Sequence, residues 1–495
     1  MLKSICINRF INEVFIHIKS NSVLILDNKT IQIISNLFKT TDLFRYKIIL
    51  IDDINKKRQP FPLNSIYFIE PSNNNALLLL NDINKKYYST FNLYFTTTCP
   101  NDIINIIGKT NNKNLIHKIY DFNLDFVLYD DNVFSLFIDH NSQYNNDKLH
   151  AFISTIGKMP NIRCQNTINN LKLEKDENSV LLILDRSFDM SSPIIHSFNL
   201  NSICHDLFIC KHNTYQNKKL DDDIWNNIKN KHILECDIKR MYKEFKEKNN
   251  IVMYNKDELK QKSINEVKDY SVKMIKFKDQ LDRYVMYNDM YEKIMKVING
   301  NLSKVEESIL KQEVTLSSMI NIINNIDNIN NNKFRILMLY ALSNNKNIDE
   351  LMELAKLNDE ERKIVNKLSK SQYSKKFVDY KLNNITISKF VPKLNDIVIS
   401  IINNNLSEKD YPYQIKHKDN PILKKDTKIS RFDNEPQWNY INEKEYKSNI
   451  YIFINGGVTY TEICNIEEIS KEYGINCIIG GTSIITFNDF VKTLL

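Results

Sequence analysis

The chain has 495 residues, of which 42% are hydrophobic and 26% charged, and a formal net charge of +7. This length predicts about three domains with a large core in an ordinary globular protein. The charge is too small to indicate nucleic-acid binding by itself, although it suits an acidic partner or an anionic membrane surface. The sequence contains neither a glycine phosphate-binding motif nor a run of 18 apolar residues, and its first residues lack an uninterrupted apolar core flanked by a cleavage site. The sequence therefore predicts a cytosolic protein with reduced thiols.

Strand and helix patterns alternate in the first part of the chain. Helical spacing of apolar residues runs to about residue 20 and resumes after residue 26. Four short apolar runs predict buried strands, at 23–26, 48–51, 65–69 and 93–95. Such alternation predicts βαβ units around a parallel sheet. We expect residues 126–129 to form the last strand of this first domain.

A fifth apolar run, at 180–184, precedes the turn cluster DRSFDMSSP. Carboxylates at strand ends of open α/β sheets are candidates for catalysis, so Asp185 and Asp189 indicate one alternative, an α/β hydrolase-like enzyme. The other interpretation is that local pairing or hydrogen bonds hold a turn in place. The lack of a nucleophile elbow, metal cluster or phosphate loop favours the second.

Helical patterns dominate after residue 196. Alternating spacings of three and four from Val267 to Ile298 predict one long helix with an apolar seam. Cys204, His205, Cys210 and His212 offer metal-ligand chemistry, but their spacing fits no zinc pattern and adjacent residues on a helix point apart. We therefore expect no metal and no cofactor.

The last part of the chain returns to strands. Residues 417–446 are polar and predict a crossover segment. Strands are expected at 450–454 and 477–479, each followed by a glycine pair. Such a strand–glycine–helix arrangement either seats an anion at a helix N-terminus or forms a tight turn.

Several of these segments resemble the SM (Sec/Munc) family, syntaxin-binding regulators of SNARE-mediated membrane fusion. LLILDRSFDMSSPIIH at 181–196 resembles the family signature, and GGVTYTE at 456–462 resembles its closing block. DDINKKRQP at 52–60 resembles the exocytic, Munc-type branch. The resemblance covers nearly the whole chain in order.

The resemblance implies a fold of class α/β plus α, a three-domain arch. Two parallel-sheet α/β domains would be joined by a large, mostly helical third domain that carries a SNARE-binding arm. The second domain would be discontinuous, completed by the C-terminus, with its first strand at Val180 beside the returning strands. The implied domains are 1–137, 138–198 plus 426–495, and 199–425.

The resemblance also implies a binding protein rather than an enzyme. Its partners would be a syntaxin-type SNARE and the assembling SNARE bundle, in vesicle docking, fusion and exocytosis. A Golgi or endosomal transport step is the alternative. The protein would be a cytoplasmic monomer without nucleic-acid partners, held peripherally at the plasma membrane or secretory vesicles through SNAREs.

Two sets of first-domain residues follow from the resemblance. The surface that grips closed syntaxin would comprise Asp27, Lys39, Asp52, Lys56, Lys57 and Arg58. A pocket for the N-terminal peptide of syntaxin would comprise Ile104, Ile119 and Asp121, with Ile104 in place of the aromatic residue of the exocytic branch. Without the resemblance, 56–58 would be interpreted as a solvated loop, and Ile104 and Ile119 as ordinary helix packing.

Overall fold

A computed structural model describes residues 1–136, 146–164, 173–207, 213–249, 263–297, 302–326, 331–343, 347–369, 371–382, 385–417 and 449–495. The chain forms two compact units. The first comprises Met1–Phe188, Leu394–Val458 and Ile466–Ile485. The second comprises Asp189–Lys393, Thr459–Asn465 and Thr486–Leu495.

The secondary structure is numbered in chain order. The strands are β1 (Ser22–Leu26), β2 (Ile48–Asp53), β3 (Asn64–Ile69), β4 (Thr90–Phe95), β5 (Ile116–Asp121), β6 (Val127–Asp130), β7 (Val133–Ser135), β8 (Lys158–Arg163), β9 (Glu174–Asp185), β10 (Thr214–Tyr215), β11 (Lys218–Lys219), β12 (Lys376–Leu382), β13 (Ile385–Val391), β14 (Tyr413–Ile415), β15 (Asn449–Asn455), β16 (Val458–Thr459), β17 (Asn476–Gly481) and β18 (Ile484–Ile485). The helices are α1 (Leu2–Glu13), α2 (Asn28–Leu37), α3 (Thr40–Arg45), α4 (Asn73–Asn84), α5 (Asn101–Ile107), α6 (Asn146–Ile156), α7 (Leu200–Leu207), α8 (Asp223–Ile228), α9 (Ile238–Lys248), α10 (Ile264–Val297), α11 (Leu302–Leu310), α12 (Leu316–Asn325), α13 (Asn332–Ser343), α14 (Ile348–Leu354), α15 (Asp359–Leu368), α16 (Lys393–Ile402), α17 (Tyr460–Tyr473) and α18 (Phe487–Leu494).

The first sheet of the first unit is parallel, with strand order β2-β1-β3-β4-β5. Its central strands are buried because their side chains are apolar on both faces, as the uninterrupted runs predict. An aromatic cluster under one face joins Phe10 of α1 to Phe68 of β3 and to Phe122, with ring centroids 5.2 Å and 4.6 Å from that of Phe10. The predicted βαβ architecture is confirmed for this sheet.

The second sheet has the order β14-β8-β9-β15-β17-β7-β6. Strand β15 lies parallel to β9, with Ile450 opposite Val180, and β17 lies parallel to β15 on its other side. The C-terminal strands thus complete the sheet that contains the Val180 strand, as predicted. The two edge pairs, β14 with β8 and β6 with β7, are antiparallel around a parallel centre.

The prediction that residues 126–129 form the last strand of the first domain is wrong. Strand β6 pairs with β7, and β7 pairs with β17, so both belong to the second sheet and not to the first. The fifth strand of the first sheet is instead β5. The sequence pattern gave only an apolar run, which suits either sheet. The predicted boundary at 137/138 therefore falls after two strands of the second sheet, and that boundary and the one at 425/426 lie outside the described residues.

The second unit is mostly helical and carries the β12–β13 hairpin. Helix α10 covers the predicted heptad segment as far as Val297, and the last residue of that segment, Ile298, lies outside the described residues. Its C-terminal half buries Tyr287, Met290 and Ile294, and the Tyr287 ring stacks on Trp225 at 5.7 Å. In its N-terminal half the predicted seam residues are only partly buried, and Phe277 stacks on Phe245 of α9 at 5.4 Å. Helix α10 is therefore buried most completely along its second half, on a face displaced from the predicted seam, because Tyr284 is the one seam residue within the described range that is buried.

Candidate partner-binding surface

The carboxyl ends of the first sheet gather most of the residues assigned to the syntaxin surface. Because the strands are parallel, the ends of β1, β2 and β5 lie along one edge. Asp27 follows β1, Asp52 lies near the end of β2, and Asp121 ends β5. Open α/β sheets place their binding groups at this edge.

Asp27 is buried and acts as a structural anchor. It is 5% exposed, and its carboxylate caps α2 by accepting from the backbone N of Lys29 and Thr30 at 3.0 and 2.8 Å. The other oxygen accepts from Glu70 N at 2.6 Å and Asn75 Nδ2 at 2.9 Å. With its acceptor sites filled, Asp27 does not suit the direct partner contact that the resemblance implies.

Arg58 is buried too, which corrects its expected place in an exposed basic run. Its guanidinium donates to Asp53 O at 2.7 Å and pairs with the Asp82 carboxylate. The Tyr67 hydroxyl donates to the same oxygen of Asp82 at 2.7 Å. Burial raises the pKa of Tyr67 well above its usual value, and Asp82 adds to this, so the hydroxyl remains a donor. Arg58 therefore fixes the loop after β2 to the body of the first unit.

Lys56 and Lys57 are exposed on that fixed loop. Asp53 shapes the loop, because its carboxylate accepts from Asn55 N at 2.9 Å and its carbonyl accepts from Lys56 N at 3.1 Å. Asp52 is partly buried beside them. These three residues remain available at the surface, and the loop holds two adjacent cations in a defined place.

Lys39 is exposed but lies away from this loop. It precedes α3, and its backbone N donates to Asp42 Oδ2 at 3.2 Å. In a parallel βαβ unit the helix returns the chain to the amino end of the next strand. Lys39 therefore lies near the amino ends of the strands, about a strand length from Lys56, and the two lysines would contact different parts of a partner.

The residues assigned to the peptide pocket lie on β5, at the opposite edge of the sheet, and on the helix α5. Ile119 and Asp121 lie on one face of the edge strand β5, and Ile119 is 43% exposed. Asp121 accepts from Cys99 N at 3.0 Å, just before α5, on which Ile104 is half-buried. Ile119 thus lies on a strand, and helix packing is the wrong interpretation for it. Four strand spacings, about 19 Å, separate this group from the β2 loop.

Sequence analysis did not identify Asp82 and Lys29. Asp82 lies on the buried face of α4, together with Leu79 and Ile83. An acidic residue at the spacing of core positions in a predicted helix is the sequence pattern that could have identified it as buried and paired. Lys29 lies between Glu70 and the buried Asp125, which hold its ammonium in ion pairs. Burial would lower the pKa of Lys29, but these two carboxylates raise it overall.

Asp185 and Asp189 are each engaged by their own turn. Asp185 is exposed and accepts from Ser187 N and Oγ at 3.0 and 2.6 Å. Asp189 is fully buried, and its oxygens accept from both Ser191 and Ser192 and from Lys393 N at 3.0 Å. This arrangement matches the structural interpretation of the turn cluster.

The glycine pair after β15 forms a tight turn. Gly456 has φ +93°, and a Cβ there would lie 2.7 Å from Cβ of Arg186. The Arg186 guanidinium donates to Gly457 O at 3.2 Å. Helix α17 then starts with Glu462 Oε2 accepting from Thr459 N at 2.9 Å, so a side chain occupies the place an anion would take.

The cluster of cysteines and histidines that offered metal-ligand chemistry is placed only in part. Cys204 and His205 lie on α7, where His205 Nδ1 donates to Asn201 O at 2.8 Å, whereas Cys210 and His212 lie outside the described residues. Among the residues that the structure describes, no group of three His, Cys, Asp or Glu side chains is arranged to hold a metal ion. No helix in this described part combines the length and apolar content needed to cross a bilayer.

Comparisons with known proteins agree with this architecture. The protein transport protein sec1 of Dictyostelium discoideum is 24% identical over 100% of this chain and 98% of its own length. The solved Unc18–syntaxin 1 complex from Monosiga brevicollis contains a chain with a TM-score of 0.77 and 19% identity, covering 100% of this chain and 98% of that one. The solved complex of the SM protein Vps45 with the Qa SNARE Tlg2 contains a chain with a TM-score of 0.75 and 16% identity, and the match covers 99% of this chain and 97% of that one.

A family model settles the classification. The model of the Sec1 family matches residues 22–493, which includes both sheets and the helical unit. The SM signature at 181–196 and the closing block at 456–462 lie within this match. The chain therefore belongs to the Sec1 (SM) family.

Proposed function

We propose that the chain binds the helices of a syntaxin-type SNARE and regulates SNARE assembly during membrane fusion. Family membership over residues 22–493 is the observation that carries this proposal. Solved relatives of the same fold are complexes with syntaxin 1 and with the Qa SNARE Tlg2. The work of such a protein is recognition, which depends on a large interface with a few buried anchors.

The first unit supplies a cationic contact for this partner at Lys56 and Lys57. The buried Arg58–Asp82 pair holds their loop in place, so the backbone that carries the two lysines loses little conformational freedom on binding. Charges at the rim of an interface steer an oppositely charged partner and fix its register. An acidic stretch of a SNARE helix fits this site.

A charge-reversal experiment tests the proposal. The double variant Lys56→Glu plus Lys57→Glu is compared with Lys85→Glu plus Lys86→Glu, another exposed lysine pair of the first unit. Binding of the cytosolic region of candidate syntaxins is measured by calorimetry at low and moderate salt. We expect at least about tenfold weaker binding for the first variant, largest at low salt, and little change for the second. Equal effects, or no binding by the unchanged protein, would contradict the proposal.

For the peptide mode we propose that Ile119, Asp121 and Ile104 receive the N-terminal peptide of the same SNARE. An exposed isoleucine beside a carboxylate suits a peptide with one apolar and one basic side chain. Ile119→Asp should abolish binding of the synthetic peptide, whereas Ile16→Asp, at another exposed isoleucine of the first unit, should not. Retained binding by Ile119→Asp would exclude this surface.

We assign the transport step to exocytosis, with the protein acting as a cytoplasmic factor held at the membrane through its SNARE. The segment at 52–60 supports this branch, whereas a Vps45 chain among the solved relatives keeps a Golgi or endosomal step as the alternative. Calorimetry with the organism's own plasma-membrane, Golgi and endosomal syntaxins in parallel decides between them. Tightest binding to the plasma-membrane syntaxin is the expected result.

A further inference from the structure

Arg163, the last residue of β8, carries a buried positive charge that has no acidic partner in the described part of the chain. It is 4% exposed. Its guanidinium donates to three backbone carbonyls, from Nη2 to Leu406 O and Ser407 O at 3.1 and 3.0 Å and from Nε to Tyr411 O at 2.9 Å. Within the same described residues, no carboxylate lies at ion-pair distance from Arg163 and its Nη1 makes no hydrogen bond.

A buried guanidinium is ordinarily paired with a carboxylate or another anion. Burial lowers the pKa of Arg163, and Tyr413 and Glu408 oppose this. The group nevertheless stays charged, because the pKa of arginine is far above neutral pH. The ring of Tyr413 lies against it, with its centroid 4.6 Å from Cζ. Carbonyl dipoles and one aromatic face therefore balance this charge only in part.

Ser407 is the exposed residue that contacts this charge. It lies in the turn between α16 and β14, where residues 403–405 and 407–410 are exposed. Its carbonyl accepts from Arg163, and its hydroxyl accepts from Asp410 N at 3.2 Å. A group added to the hydroxyl has room because the residue is exposed, and it remains on the residue that already contacts the guanidinium.

The sequence after Ser407 suits one class of modifying enzyme. Glu408 follows directly, and Asp410 lies three residues after the serine. Kinases select substrates by the pattern of charge around the acceptor, and acidophilic kinases recognise acids at these positions. Glu408 forms an ion pair with Lys416 at 3.3 Å, so part of its repulsion toward a neighbouring phosphate is neutralised.

We propose that Ser407 is a phosphorylation site for an acidophilic serine/threonine kinase, and that its phosphate pairs with Arg163. The hydroxyl oxygen attacks the γ-phosphorus of ATP, and the bond from that phosphorus to the β-phosphate oxygen breaks. ADP leaves, and the hydroxyl proton passes to the catalytic base of the kinase. The product carries a charge of about −1.5 to −2 at neutral pH.

The phosphate supplies the anionic acceptor that the guanidinium lacks. Arg163 lies opposite Tyr413 of β14, the edge strand of the second sheet. Because Arg163 also holds the turn that leads into β14, phosphorylation should fix this strand more firmly to β8. The modification involves none of the residues proposed to contact a SNARE, so its tests are independent of partner binding.

The first test asks whether Ser407 is an acceptor in the folded protein. The full chain is incubated with casein kinase II and ATP, and the phosphorylated residues are mapped by mass spectrometry. We expect phosphate on Ser407, absent from Ser407→Ala and retained in Ser263→Ala. Ser263 is the matched control because it is also exposed and is followed three residues later by an acid, Glu266. An unmodified Ser407, or phosphate on Ser263 alone, would overturn the proposal.

The second test asks whether the phosphate meets Arg163. Phosphoserine is incorporated at position 407 by codon suppression, and its second pKa is measured by phosphorus NMR. A neighbouring guanidinium should lower this pKa by at least about one unit from the value of about 6 in a peptide of the same sequence. Lys409→Gln removes an exposed cation of the same turn and should leave most of this shift. A pKa equal to that of the peptide, or a shift abolished by Lys409→Gln, would exclude the pairing with Arg163.

Hydrogen exchange measures the consequence for the edge strand. With phosphoserine at position 407, we expect the backbone amides of β14 to exchange at least about threefold more slowly, because local opening becomes less favourable. Strand β4 of the first sheet is the internal control and should be unchanged. Equal exchange rates in β14 with and without the phosphate would contradict the proposed effect on this strand.

Discussion

Arg58 and Asp82 form a buried ion pair directly beneath the loop that presents Lys56 and Lys57. One basic run in the sequence therefore has two roles. The two lysines are exposed at the surface, and the buried arginine holds their loop in place.

Breaking this pair should destabilise the first unit without changing the exposed charges. Arg58→Met leaves Asp82 buried and unpaired, so we expect a loss of about 3 kcal/mol. Hydrogen exchange of β2 and its following loop measures the local effect. Lys57→Gln, at the preceding and exposed residue, is the control and should change the free energy of unfolding by less than about 0.5 kcal/mol. The double variant Arg58→Met plus Asp82→Leu should recover much of the loss, and failure to do so would argue against the pair.

Asp189 should be far less tolerant of substitution than Asp185. Asp189→Asn turns one acceptor oxygen into a donor that faces donors already pointing at it, which we expect to cost about 2–4 kcal/mol. Asp185→Asn removes charge at an exposed position and should cost less than about 1 kcal/mol. Thermal unfolding of the two variants checks this order, and the reverse order would mean that the turn is held differently.

Gly480 is needed for close packing in the second sheet. A Cβ at this position would lie 2.5 Å from atoms of the Phe134 ring on β7. We expect Gly480→Ala to destabilise by about 2–3 kcal/mol through overpacking. Gly474→Ala is the control, because its φ is +63° but nothing lies near its Cβ position, so backbone strain alone should cost about 1 kcal/mol. Phe134→Leu should relieve part of the Gly480→Ala loss; additive losses would contradict the contact.

His205 should make stability depend on pH in mildly acidic solution. Burial lowers its pKa to about 4, from 6.5, and its ring stacks on Tyr460 at 3.8 Å. Between these two pKa values the unfolded chain binds a proton at His205 that the folded chain does not bind. The stability gained from keeping His205 neutral is therefore fully present above pH 6.5 and is lost as the pH falls toward 4. Between pH 7 and 5 we expect a loss of about 2 kcal/mol.

His205→Gln keeps a side-chain donor and cannot titrate, so it provides the comparison. Denaturant unfolding of both proteins at several pH values gives the difference in slope. Parallel curves for the wild type and the variant would show that folding does not lower the pKa of His205.

The strand and helix pattern could be predicted wherever burial is complete. Residues 180–184 and 450–454 are apolar throughout because both faces of a central strand are covered. Strand β5 was missed because this edge strand carries polar residues, the exposed His117 and the half-buried Lys118, between its isoleucines. The apolar seam predicted the existence of helix α10. A straight helix has 3.6 residues per turn, so its faces drift relative to a seven-residue repeat. The buried face therefore contains Tyr287 and Met290, and the seam position Asn288 lies beside it.

The binding surface could be predicted only in part. Sequence places Asp27 and Arg58 among charged neighbours, and charge normally indicates exposure. Their partners, Asn75 and Asp82, come from helix α4, far along the chain, so only the fold reveals that both are buried. The sequence also predicts that Lys56 and Lys57 are exposed on a loop. It does not reveal that the buried Arg58 holds this loop in a fixed position.

The order of strands in the second sheet has a consequence for biosynthesis. β15 and β17 lie between β9 and β7 but follow both of them in the chain, so the ribosome makes them later. Until they emerge, the nascent chain holds β9 and β7 with open, apolar edges that can pair with other chains. A polypeptide that ends before residue 449 should therefore be prone to aggregation. We expect this sheet to be the part of the nascent chain that most needs chaperones during translation.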